Sequence, residues 1–401
     1  MADTDFAPWP SFDEVEVAAV AEVLASAKVN YWTGGEGRAF EREFASFADC
    51  AHAVALANGT VALDLALHGL GIGARNGGSD RDEVIVTPRS FIASVSSVVN
   101  AGARPVFADV DRDSGNIEPA TIEPVITGST RAVVPVHLAG WPVDMPALMD
   151  LTSERDIAVI EDCAQAHGAR IDGKSVGSFG HVGAWSFCQD KIMTTGGEGG
   201  MVTCQDEQLF RTMWAHKDHG KSFEAVYERE HPPGFRWLHE SFGTNWRMLE
   251  MQAVIGRIQL ARMEGWTAAR NAHAERMVDA LDDAVREGWV RVPRPREGMR
   301  HADYKFYAYV EPDRLRGGWT RDRIVEEIVA RGVPCFQGSC SEIYLEKAFD
   351  GSGFAPPDRL PVARELGETS LMWLVHPTIT GAQIDRAAQI TQDVIGEAFL
   401  D

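Results

Sequence analysis

No stretch of the 401-residue chain approaches the ~18 consecutive apolar residues of a membrane-spanning helix, and its densest runs, such as AVVPVHLAG (132–140), are far shorter. A membrane protein is therefore not expected. The opening MADTDFAPWPSFDEVE is acidic where a secretory leader would be basic and then apolar, so no export signal is read. Cysteine is sparse: Cys50, Cys163, Cys188, Cys204, Cys335 and Cys340 form no CxxC pair, which argues against a zinc ribbon or a disulfide framework. Reduced thiols in the cytoplasm are the expectation. No metal is expected either, because His181, His216, His219, His231 and His239 lack a ligand spacing such as HExxH. Positive charge is in deficit: 38 Lys and Arg stand against 59 Asp and Glu, a formal net charge of −21. Such a field repels phosphate backbones, so no nucleic-acid partner is expected, although salt screening beyond roughly 8–10 Å leaves room for a local anion site. GxxxxGK[ST] is absent, and GLGIG (69–73) trails a helical segment instead of following a strand, so neither common nucleotide fingerprint applies.

What is present between residues 50 and 205 is alternation. HAVALA (52–57), EVIVT (83–87), RPVFADV (104–110), RAVVPVH (131–137), DIAVIED (156–162) and HVGAWSF (181–187) read as strands. TVALDLALHGL (60–70), SFIASVSSVVNAG (90–102), EPATIEPVI (118–126) and MPALMDLTSER (145–155) have the length and spacing of helices. Strands and helices in turn give a mainly parallel sheet covered on both faces, whose ligands sit at the carboxyl ends of the strands. Residues 214–245 resist assignment to a regular element, and long irregular segments are usually functional or interfacial. One long helix is expected over 248–285, leading into a smaller α+β unit with helices near 320–331 and 381–399. The expected division is a large domain, 1–255, and a small one, 256–401.

Four segments lie where such a sheet places ligands. Asn58-Gly59-Thr60 follows a strand and opens a helix whose free N–H groups suit a phosphate; the plain reading is an N-cap and a tight turn. Asp162 ends a buried strand, as a functional acid or as the cap of a helix in the next segment, AQAHG. Lys191 lies in a Ser/Thr/Gly-rich loop, as a reactive amine or as an ordinary surface charge. GTNWRM (243–248) sets an amide beside a guanidinium, or caps a helix. Together, a phosphate cradle, an acid able to protonate a ring nitrogen and a Schiff-base lysine are the parts that pyridoxal phosphate (PLP) chemistry needs.

These segments, with YWTGGEGRAFEREFA (31–45), VIVTPRSFIAS (84–94), AGARPVFADVD (101–111), VVPVHLAGWPVDM (133–145), IEDCAQAHGA (160–169), WSFCQDKIMTTGGEGGMV (185–202), FGTNWRMLEMQAVIGRIQL (242–260) and LMWLVHPTIT (371–380), run in the order of the DegT/DnrJ/EryC1/StrS sugar aminotransferases, which the chain resembles over nearly its whole length. The resemblance implies an α/β protein of PLP fold type I, aspartate aminotransferase-like, working as a cytoplasmic homodimer with shared active sites. Lys191 matches the lysine that forms the Schiff base with the cofactor, Asp162 the acid on the pyridine nitrogen, and Ser186, Gly59 and Thr60 the phosphate contacts. Gln165 matches the side chain near the ring hydroxyl, Phe91 the aromatic stacked on the cofactor, and Asn245 an amide that reaches the phosphate from the other subunit. A lysine at 191 also points to transamination and away from the dehydrating branch, where histidine stands. Ala139 and Trp141 depart from the commoner pattern, which touches the shape of the sugar pocket alone.

The activity so implied moves an amino group from an amino acid, glutamate by resemblance, to a nucleotide-linked keto-deoxysugar, a 4-keto-6-deoxyhexose, with ping-pong kinetics. Lys217, Lys221, Arg236 and Arg247 are candidates for the diphosphate, or solvated charges; His167 and His376 are sugar contacts or structural residues. Two other readings stay open: transamination of a non-nucleotide ketone such as a cyclitol or an aminoshikimate-type precursor, and a non-catalytic PLP-binding sensor.

Overall fold

The computed structural model describes residues 5–233 and 237–399. The first nine strands are β1 (His52–Leu56), β2 (Glu83–Val86), β3 (Arg104–Phe107), β4 (Thr130–Val134), β5 (Ala158–Asp162), β6 (Arg170–Ile171), β7 (Lys174–Ser175), β8 (Val182–Ser186) and β9 (Gly200–Cys204). Seven of them form one sheet in the order β1-β9-β8-β5-β4-β2-β3. Neighbours from β8 to β3 run parallel, and β9 runs antiparallel to both β1 and β8. All six expected strands are there. The seventh, β9, escapes a sequence pattern, because GMVTC is buried along its whole length and so shows no alternation.

The expected strand over 131–137 stops at Val134, since Pro135 has no N–H to give the ladder; Val136 adds one isolated bridge to Asp162. Helices Gly59–Gly69, Ala93–Asn100 and Met145–Ser153 fill the crossovers, and the apolar faces of helix and strand close on each other around Leu65, Val84, Val134 and Ile160. Each such side chain fully buried contributes about 1.5–3 kcal/mol.

The long helix expected over 248–285 is two helices, Glu250–Leu260 and Met263–Arg286, broken at Ala261 and Arg262. Residue 255 lies inside the first, which packs on helix Glu36–Phe47, while a second hydrophobic core begins at Ala274. The irregular segment holds the last turn of helix Glu207–Lys217 and a short helix, Phe223–Tyr227, capped by the Ser222 side chain. Beyond it come β10 (Val290–Arg291), β11 (Met299–Arg300), β12 (Phe306–Val310), β13 (Cys335–Phe336) and β14 (Ser370–Trp373). Four of these form an antiparallel sheet, β10-β12-β14-β13, and β11 joins β6 and β7. Helices Arg321–Ala330 and Gly381–Phe399 cover the smaller sheet.

Candidate active site

A cavity of about 890 Å³ opens at the carboxyl ends of the large sheet. Gly59, Thr60, Phe91, Asp162, Gln165, Ser186 and Lys191 all line it, although up to 132 positions separate them in the chain. At its floor the Asn58 side chain accepts the Val61 N–H at 3.0 Å and so caps the helix that begins at Gly59. The first turn keeps N–H groups free for an anion. Gly59 is required here: a Cβ would stand 2.5 Å from Ser186 Cβ and 2.8 Å from its Oγ.

Asp162 closes β5 with 5 % of its surface exposed. Its Oδ2 accepts the Ser94 hydroxyl at 2.8 Å and its Oδ1 the Ala164 N–H at 3.1 Å. Burial raises its pKa against the lowering pull of Ser94, Ala164, Lys191 and His137. A carboxylate so desolvated gains from a proton-bearing ring nitrogen beside it. Lys191 is held by its backbone on both sides, its N–H donating to Cys188 O at 3.1 Å and its carbonyl accepting the Trp9 indole N–H at 2.8 Å. The amine sits 3.9 Å from Asp190 Oδ1 and 5.4 Å from the centre of the Tyr304 ring. Tyr304 in turn donates its hydroxyl to Asp190 at 2.5 Å. Gln165 Oε1 accepts the N–H of Ala139, a residue held at a φ of +57°, at 2.8 Å. Phe91, 68 % exposed, stands at the mouth.

These residues fit pyridoxal phosphate: a cradle too tight for a side chain at its base, a buried acid, and an amine facing the same space. Asn245 is not among them. It is exposed, bridges Asp218 through the backbone, and lies outside the cavity lining of its own chain.

The other charged candidates are tied up within the chain. Lys217 is fully buried, 3.6 Å from Glu41 Oε1 and over the Tyr31 ring; Lys221 and Arg247 both pair with Asp218. Arg236 lies outside the described residues. The two histidines considered as sugar contacts are buried and do not line the cavity. His167 packs among Phe44, Trp185 and Phe187, and His376 stacks on Trp9 and bonds Thr378. His137, Glu161 and Cys163 cluster closely enough for a metal, but His137 and Glu161 already bond each other. Glu161 accepts three backbone N–H groups, from Gly177, Phe179 and Gly180, as well as His137 Nε2.

One whole wall of the cavity is absent from the sequence-based candidates. Tyr304, Lys305, Phe336, Gly338, Ser339, Cys340, Met372 and Leu374 come from the smaller sheet and its loops. YKFYAYV reads as a strand, and nothing in its spacing says that its start faces a ligand.

Residues 10–392 match the model of the DegT/DnrJ/EryC1/StrS aminotransferase family. The chain is 34 % identical over 391 residues to a UDP-N-acetyl-3-dehydro-alpha-D-glucosamine 3-aminotransferase of Acidithiobacillus ferrooxidans, covering 95 % of this chain and 94 % of that protein. Among solved structures, an aminotransferase from Psychrobacter cryohalolentis superposes with a TM-score of 0.95 at 60 % identity, over 98 % of this chain and 99 % of its own. DesV of S. venezuelae, solved in complex with a ketimine intermediate, gives a TM-score of 0.81 at 32 % identity over 95 % of this chain and 94 % of its own. Sequence, fold and cavity thus agree, and the chain belongs to the DegT/DnrJ/EryC1/StrS family of PLP-dependent aminotransferases, of fold type I.

Proposed function

We propose that this transaminase carries an amino group from an amino acid, glutamate first, to a nucleotide-linked 4-keto-6-deoxyhexose. The observation that carries the reading is the meeting of Gly59, Asp162, Ser186 and Lys191 on one cavity. When bound, PLP supplies a carbonyl carbon for Schiff-base chemistry and a ring that accepts electrons. Gly59, Thr60 and Ser186 hold its phosphate. Asp162 keeps the ring nitrogen protonated, Gln165 meets the ring hydroxyl, and Phe91 covers a face. The amine of Lys191 would be the base that takes the proton from the Cα of the amino donor.

The cavity, about 890 Å³, has room for PLP and a small substrate beside it. We take the active form to be a homodimer in which Asn245 serves the other copy: it is exposed and does not line its own cavity, and Phe242, three residues before it, is fully exposed. Cytoplasmic location and the division into units 1–255 and 256–401 belong to the same proposal. No helix among the described residues is long and apolar enough to cross a membrane.

The test uses purified holoenzyme. Glutamate should convert the visible cofactor band to that of the amine form, and a 4-keto-6-deoxyhexose nucleotide, not a keto-cyclitol, should restore it. Restoration by the cyclitol alone would replace the substrate assignment, and a band that no amino acid shifts would favour a sensor. Mixing Lys191→Ala and Asn245→Ala subunits should regain activity if the sites are shared.

A further inference from the structure

A transaminase spends its reactive lysine on the cofactor, so other cations must hold the substrate's charged groups. Among the described residues lining the cavity, Lys and Arg occur at Lys191 and Lys305. Lys305 directly precedes β12, and the pairing of Phe306 with Trp373 fixes where its side chain starts. Its Nζ lies 4.6 Å from the centre of the Tyr304 ring and, among the described residues, has no hydrogen bond and no ion pair. Asp190 attracts it, but that carboxylate already receives the Tyr304 hydroxyl and stands 3.9 Å from Lys191.

Burial lowers the Lys305 pKa against the pull of Asp190, and Arg270 and Lys191 lower it further, to about 8. It is thus still charged at neutral pH, partly buried and unneutralised. A cation in that state is stabilised by an anionic ligand.

Location decides which anion. Lys191 and Lys305 share one neighbour, the ring of Tyr304, with their amines 5.4 and 4.6 Å from its centre, close enough for each charge to be felt by the other. An amino acid carries its α-carboxylate one bond from the carbon whose proton Lys191 removes, so that carboxylate must lie beside the Lys191 amine. The diphosphate of a nucleotide sugar is several bonds from the keto carbon and falls further out.

We infer that Lys305 binds the α-carboxylate of the amino donor and is the residue that sets donor affinity in this enzyme. The inference rests on the reading of the donor as an amino acid. It is a positive charge on the smaller sheet holding the substrate that the larger sheet's lysine deprotonates.

The experiment compares wild type with Lys305→Met and Lys305→Arg as holoenzymes of matched melting temperature. Lys305→Gln is read in the same assays if the methionine variant folds poorly. Glutarate, a dicarboxylate without an amine, serves as an unreactive probe by calorimetry. Lys305→Met should weaken glutarate at least tenfold and raise the KM for glutamate at least tenfold, with kcat and the KM for the keto-sugar nucleotide within threefold. Lys305→Arg should recover most of the loss. Unchanged glutarate binding would overturn the inference, as would a loss confined to the nucleotide sugar or one shared equally by both substrates. Failure of the donor reading itself looks different: wild type would then show no spectral response to any amino acid.

Discussion

The two walls of the cavity are built on opposite principles. The wall from the large sheet is made of strand ends: Asn58 and Gly59 after β1, Asp162 ending β5 and Ser186 ending β8, each fixed by a ladder buried on both faces. The wall from the smaller sheet is made of side chains at loop edges, Tyr304 and Lys305 before β12 and Gly338 to Cys340 after β13. The first carries the residues proposed to hold the cofactor; the second carries those proposed to meet the substrates. A rigid parallel sheet suits the former and an adjustable antiparallel edge the latter.

The largest effect that would break this division is expected at Lys191. Lys191→Ala should lower turnover by about 10⁴-fold or more while the protein still binds the cofactor. Near-normal rates in that variant, measured by single-turnover absorbance, would remove the large-sheet wall from the chemistry.

Two glycines offer a sharper comparison. Gly59→Ala puts a Cβ 2.5 Å from Ser186 Cβ, and Gly338→Ala, at a φ of +96°, puts one 2.5 Å from the Tyr307 ring. Each should cost about 1–3 kcal/mol of stability. Gly59→Ala should also release PLP on dialysis, whereas Gly338→Ala should keep PLP and lose substrate affinity, read as a higher KM. Equal loss of PLP in both would show that the walls do not divide the work.

Acid should strain both walls. His167, behind the large sheet, is held neutral by burial and by Lys191 and Arg270, with a pKa of about 3. His376, behind the smaller one, is lowered to about 3 by burial, Arg270, Lys305 and His273. The unfolded chain protonates both near pH 6.5, so the stability they contribute is present above that pH and is lost as pH falls toward 3. At pH 5 each costs about 2 kcal/mol. His167→Phe should narrow the difference in denaturation midpoint between pH 7.5 and pH 5; an unchanged difference would mean that this ring is not the acid-sensitive part.

The same division explains what the sequence disclosed. A buried parallel strand is a short β-branched run with a polar residue at its end, so Asp162 and Ser186 are visible as ends before they are visible as a site. Antiparallel β9 is not, because burial on both faces erases its period and glycines on its flank imitate a loop. Lys217 looks like a phosphate ligand because sequence cannot show that Glu41, 176 positions earlier, neutralises it at 3.6 Å. Lys305 escapes notice for the opposite reason. It sits in a run of aromatic residues whose spacing announces only a strand, and the charge facing the ligand space depends on the pairing of β12 with the distant β14.

One set of contacts joins Pro8 and Trp9 to residues 376–378. The Trp9 indole that holds the Lys191 carbonyl is itself wedged against Trp266 and His376, and the carbonyl of Pro8 accepts the Thr378 hydroxyl at 2.9 Å. During synthesis, a ribosome that has not yet delivered residue 376 leaves that wedge without its seat. The loop that carries Lys191 therefore gains its full support only once the segment around residue 376 has emerged and folded, and a chain cut before it would keep the Gly59 cradle while losing that prop.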